Sequence, residues 1–67
     1  MNIKDFTVPE LNYFRENCNF VGLEKEVFEL RSQGIPLEQI ADMIDGVTID
    51  GVKKISVRIN RKIIRVL

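Results

Sequence analysis

Apolar side chains recur along this chain at three- and four-residue intervals, the spacing that lines one face of an α-helix, and they do so in four segments. The first follows Phe6-Thr7-Val8-Pro9-Glu10-Leu11. Thr7 is a good N-cap, Glu10 stands three residues on as its capping-box partner, and Phe6 and Leu11 have hydrophobic-staple spacing. Leu11, Phe14 and Cys18 then share a face, and Asn17 and Asn19 suit the end. The second segment runs from about residue 22 to residue 33, with Leu23, Val27 and Leu30 as its stripe and Phe20 and Phe28 flanking it. Gly34 is the expected stop, because a left-handed glycine lets the last carbonyls be satisfied. The third starts at Pro36, whose missing N–H costs nothing at a first helical position. Leu37, Ile40, Ala41 and Ile44 form its stripe, and Asp45-Gly46 ends it.

The fourth segment begins at Thr48, which can cap, with Val47 and Val52 in staple positions and Asp50 complementing the helix dipole. Val52, Ile55, Ile59, Ile63 and Val66 make one stripe, while Lys53, Lys54, Val57, Arg58 and Arg61 fall on the other side. Alternation through residues 54–59 also fits a strand, but residues 51–67 hold no turn signal, which favours one long helix. The expected fold is therefore all-α, a small four-helix domain over residues 1–67 with a long C-terminal helix.

Length and composition narrow the function. Sixty-seven residues make one domain with a small core. One cysteine and no histidine leave neither a disulfide framework nor the ligands of a structural zinc site, so no metal or other cofactor is expected. The lone Cys18 fits a reducing compartment, and no apolar run reaches membrane-spanning length, so a cytoplasmic protein without membrane contact is expected. The Asp45-Gly46 and Asp50-Gly51 pairs lack the alternating ligands of a calcium loop. Nothing resembles a phosphate loop, and no enzyme activity is expected.

Charge is zero in total but strongly segregated. Residues 1–50 carry four basic side chains against all ten acidic ones, a balance of −6, while residues 51–67 carry six basic and no acidic ones, +6. Local field, not net charge, attracts a polyanion. A basic tail folded onto the acidic body would cancel that field.

A short helix, a tight turn and a longer basic helix are the parts of a helix-turn-helix, in which the second helix enters the major groove. Residues 36–66 have that layout. The run from Phe20 to Gly34 resembles the first DNA-binding-domain helix of LuxR-type regulators, with Glu26, Val27 and Gly34 at that family's Glu-Val-Leu core and terminating glycine. Gln39-Ile40-Ala41 looks like its Glu-Ile-Ala, Ile44 takes the place of the following leucine, and Val47-Thr48 resembles its Ile/Val-Ser turn once one extra residue near Asp45-Gly46 is admitted. Val52, Ile59, Lys62 and Ile63 match the apolar-and-lysine pattern of the recognition helix. Sigma-factor region four shares this outline. The resemblance covers residues 20–63, and residues 1–19 read as an added N-terminal helix ahead of a LuxR-like 20–67 core. Val21 and Pro36 stand where the family has Ser/Thr caps, and Gly51 where it has Thr.

The resemblance implies a sequence-specific, DNA-binding transcription regulator. Lys53, Lys54 and Val57 take groove-facing positions, with Arg58 and Arg61 beside them, and Thr48 with the first-turn amides meets phosphate. It also implies a homodimer, and the residues add a reason: Ile63, Ile64, Val66 and Leu67 crowd the last five positions with apolar side chains, a surface that a second copy would cover. Helix one folding back over that end is the competing account. The rival function is a protein-interaction module that binds RNA polymerase or another regulator, with Asp50 and Gly51 in the recognition helix and an acidic patch of Glu24, Glu26, Glu29 and Glu38 in its favour.

Overall fold

The Thr7 hydroxyl accepts the Glu10 N–H at 3.3 Å while the Glu10 carboxylate accepts the Thr7 N–H at 2.8 Å, a reciprocal box that starts helix α1, Val8–Asn17. This is described by a computed structural model covering residues 2–67. Ahead of α1 a 3-10 turn, Ile3–Asp5, drops Ile3 into the core. The Asn17 side-chain amide donates to the Tyr13 carbonyl at 2.8 Å, and Asn19 takes a left-handed φ of 53° that turns the chain away.

Helix α2, Leu23–Ser32, starts at Gly22 without a capping side chain. It ends as Gly34 predicts. With φ at +85°, the Gly34 N–H donates to the Arg31 carbonyl at 2.9 Å and the Ile35 N–H to the Leu30 carbonyl at 3.2 Å, the paired bonds of a Schellman stop. Helix α3 is Leu37–Met43, and Pro36 is its N-cap rather than its first helical residue, extended at ψ 158°. A five-residue connection, 44–48, containing Gly46 at φ +79°, leads to α4, Ile49–Val66. The Thr48 hydroxyl accepts the Gly51 N–H at 3.1 Å, and the strand alternative for residues 54–59 falls away inside one continuous helix.

Helix α4 is the spine. It supplies Val52, Ile55, Ile59 and Ile63 to the core, and α1, α2 and α3 all pack on it. The 3-10 turn and α1, outside the family resemblance, add Ile3, Leu11, Phe14 and Cys18 to the same core. Phe6 meets Phe14 edge-on at 4.9 Å, and Phe20 lies 4.6 Å from Phe28, both within the range of favourable aromatic pairing. The result is a small all-α domain, 30 × 19 × 17 Å along its principal axes. No helix among the described residues is long and apolar enough to cross a membrane.

One face differs from expectation. Helix α2 buries Val27, Phe28 and Glu24, leaves Leu30 half-buried and exposes Leu23. The expected Leu23–Val27–Leu30 stripe is rotated because Phe28 is the larger apolar group and takes the centre, and because Glu24 has a partner to bury against.

Candidate nucleic-acid interface

At about 100° of rotation per residue, α4 divides into three stripes. Its core stripe is wholly buried apart from Val66, which is half-buried. Lys54, Arg58, Arg61 and Arg65 follow one another at four- and three-residue steps and form a basic stripe. Val57, Ile64 and Leu67 form an apolar edge on the remaining side, with Lys53 at its N-terminal end. Every one of these cations is exposed, and none is in an ion pair among the described residues. The core stripe thus anchors the helix while the basic stripe stays in water.

The sequence-predicted residues fall into two groups on this surface. Lys54, Arg58 and Arg61 come together, and Arg65 extends their line; its position four residues after Arg61 already marked it. Lys53 and Val57 lie on the neighbouring edge rather than among the arginines. Thr48 is exposed, and its oxygen is engaged as the cap. Its hydroxyl proton remains available to an acceptor, as do the Ile49 and Asp50 amides, which precede the first possible intrahelical bond. A groove of about 290 Å³ beside this turn is lined by Leu23, Gly46 and Val47, with Lys54 and Arg58 on its rim.

Lys62 has a different task. Its ammonium donates to the Glu24 carboxylate at 2.5 Å and to the Asn19 carbonyl at 3.1 Å, tying the 19–24 connection to α4. Glu24 is 6% exposed. The Lys62 hydrogen bond holds its carboxyl below the usual range; burial opposes this, while the Val21 N–H and the fields of Lys62 and Arg58 add to it. Among the described residues, Lys62 is the only one of the six C-terminal cations that forms an ion pair with the acidic body. The field of the basic stripe is therefore not cancelled.

The acidic patch expected of Glu24, Glu26, Glu29 and Glu38 does not form. Glu24 is buried under Lys62, and Glu29 receives two hydrogen bonds from Arg15, at 2.7 and 2.8 Å, which lower its pKa. Arg15 also lies 5.7 Å from the Phe28 ring. Only Glu26 and Glu38 remain exposed.

The C-terminal apolar group is also redistributed. Ile63 is fully buried in the domain's own core, and Val66 is half-buried with its carbonyl accepting the Tyr13 hydroxyl at 3.2 Å. Ile63 is thus no dimer contact, because its place on the core stripe commits it to α4's own seat. Ile64 and Leu67 stay 64% and 74% exposed, so α1 reaches this end of α4 without covering them.

Gly51 takes an ordinary helical conformation, and a methyl group there would meet Val47 and Thr48 at 3.4 and 3.5 Å, normal contact distances. Gly51→Ala is expected to stabilise the domain by up to about 1 kcal/mol through helix propensity. Thermal unfolding would show this as a rise of roughly 4–8 °C; a fall would mean that the first turn of α4 has no room.

Compared with family models, curated proteins and solved structures, the chain finds no match.

Proposed function

We propose that this domain binds double-stranded DNA as a transcription regulator, with α3 and α4 acting as a helix-turn-helix and α4 in the major groove. The observation that carries the reading is the exposed, unpaired basic stripe on a helix whose opposite side is anchored in the core. A major groove admits one α-helix, and arginine or lysine can donate to guanine O6 and N7 there. Lys54, Arg58 and Arg61 are the donors, Lys53 and Arg65 add backbone charge, and Val57 suits a thymine methyl. Thr48 and the first-turn amides of α4 suit a phosphate. A homodimer belongs to this reading, with Ile64 and Leu67 as the self-association surface.

Four to six phosphate-facing charges give an expected log–log slope of binding against salt of about −4 to −5 per domain. Titration of labelled duplex at several salt concentrations measures it. Lys54→Ala and Arg58→Ala are expected to weaken binding and leave thermal stability nearly unchanged, since both side chains stand in water. Absence of binding to random or genomic duplex at low salt overturns the reading. In that case the alternative stands, docking on RNA polymerase or another regulator. One observation favours that second reading: Val57, 49% exposed, and Ile64 give the same helix an apolar edge of the kind a protein partner covers.

A further inference from the structure

We propose that Asp50 is a specificity-determining residue of α4, its carboxylate accepting from the N4 amino group of a cytosine in the major groove. This rests on the DNA reading above and adds to it the base preferred at one position.

Helix α4 carries one acid among its cations, and that acid is Asp50. It is exposed and in no ion pair among the described residues, although Lys53 and Lys54 stand three and four residues on. At about 100° per residue, Asp50 lies about 180° around the helix from Ile59, the middle of the core stripe, and so points away from the domain. Lys54, Val57 and Arg61 lie within about 40° of that outward line. No other side chain of the first turn points the same way. Thr48 is engaged as the cap, Ile49 is half-buried, and Gly51 has no side chain to offer. With its core stripe turned to the domain, α4 therefore enters a groove led by Asp50, since the N-terminal residues of a recognition helix are the ones that meet base edges.

Charge decides what such a residue can do there. Phosphate repels a carboxylate, so an acid between two rows of phosphates is a cost unless a base donates to it. The major-groove edges offer two donors, the N4 amino group of cytosine and the N6 amino group of adenine. Guanine shows only acceptors, and thymine an acceptor and a methyl group. Adenine sets its N7 acceptor beside the amino group, where it opposes the second carboxylate oxygen. Cytosine has no acceptor on that edge and fits the carboxylate best. An acid in the first turn also complements the helix dipole, but that role carries no preference for a base.

Selection of bound duplex from a random-sequence pool tests this for the wild type, Asp50→Ala and Asp50→Asn at one salt concentration. The wild-type motif is expected to hold a C·G pair preferred by about fivefold or more over any other pair at that position. Asp50→Ala is expected to keep the rest of the motif and lose that preference. Asp50→Asn is expected to exchange it for A·T, because an asparagine amide matches adenine N6 and N7. A second arm acts on the DNA and needs no variant to fold. N4-methylcytosine still pairs with guanine, but its methyl group replaces the hydrogen that faces the groove. Wild-type affinity for the motif carrying it at that position is expected to fall by a similar factor, and Asp50→Ala is expected not to distinguish the two duplexes. Variants that return the wild-type motif unchanged, or a wild type indifferent to N4-methylation at every cytosine of its motif, overturn the role of Asp50 and leave DNA binding standing. A wild type that binds duplex with no preferred C·G pair does the same. No binding to duplex at low salt overturns the DNA reading and the specificity together.

Discussion

Ile59→Ala is expected to cost about 2–5 kcal/mol of stability, the range for emptying a buried isoleucine site that can collapse only in part. Ile59 is fully buried at the middle of the α4 core stripe, in the cluster to which α1, α2 and α3 contribute. At about 0.05–0.15 kcal/mol per residue, a domain of this length has roughly 3–10 kcal/mol in total. The substitution therefore consumes much of that stability and leaves a substantial unfolded fraction at 37 °C. Arg58→Ala, one residue away, is expected to change stability by no more than about 0.5 kcal/mol, because its side chain is exposed and unpaired. Urea unfolding of the two variants beside the wild type makes the comparison. Equal losses, or the larger loss at Arg58, would mean that α4 is seated on its other face.

Local signals fixed the helix ends, and they were legible because each depends on residues only three or four apart. Thr7 with Glu10, Gly34, and Thr48 act where the pattern puts them, through bonds that need no tertiary partner. The α4 stripe was legible too, since five β-branched residues at helical spacing admit a single buried side. Helix α2 was harder. Leu23 and Phe28 are both apolar, and which one turns inward depends on Phe20 and on Glu24 finding Lys62, thirty-eight residues away. The same long-range pair removes Glu24 from the surface, and Arg15 engages Glu29, so an acidic patch inferred from spacing along α2 could not survive folding. Ile3 gave no periodic signal at all, because a single turn is too short to have one. On the candidate site, helical spacing separated the cations from the core but not the arginine line from the Lys53–Val57 edge. That distinction needs the angular position of each residue about α4, which follows only once the helix is known to be continuous from Ile49 to Val66.

Lys62→Met is expected to destabilise the domain by about 2–3 kcal/mol at neutral pH. Removing one member of a fully buried ion pair costs about 3–5 kcal/mol, because the other charge is left without compensation. The lower figure applies because the Lys62 side chain is 25% exposed and water can partly replace it. Glu24 would keep only the Val21 N–H, at 3.3 Å. Replacing both partners, Glu24→Leu with Lys62→Met, is expected to cost less than Lys62→Met alone, since no buried charge then remains. The pH dependence carries the sign. In the wild type the Glu24 carboxyl is held below its usual range, so its contribution is complete above the unfolded value of about 4.3 and is lost as pH falls through the lower native value. Without Lys62, the largest influence that lowers this carboxyl is gone and burial opposes its charge, so it lies higher than in the wild type and acid costs the variant less stability. The gap between wild type and Lys62→Met is therefore expected to narrow as pH falls from about 7 through the ordinary glutamate value of about 4.3 towards the lower native one. Glu29, with its pKa lowered by Arg15 in both proteins, drops out of the difference. Urea midpoints for both proteins across that interval measure the gap; a constant or widening gap would show that Glu24 and Lys62 are not coupled in the folded state. Because Lys62 points towards Asn19 and Glu24 rather than along the basic stripe, the folded variant is expected to keep the wild-type salt slope if α4 binds DNA as proposed.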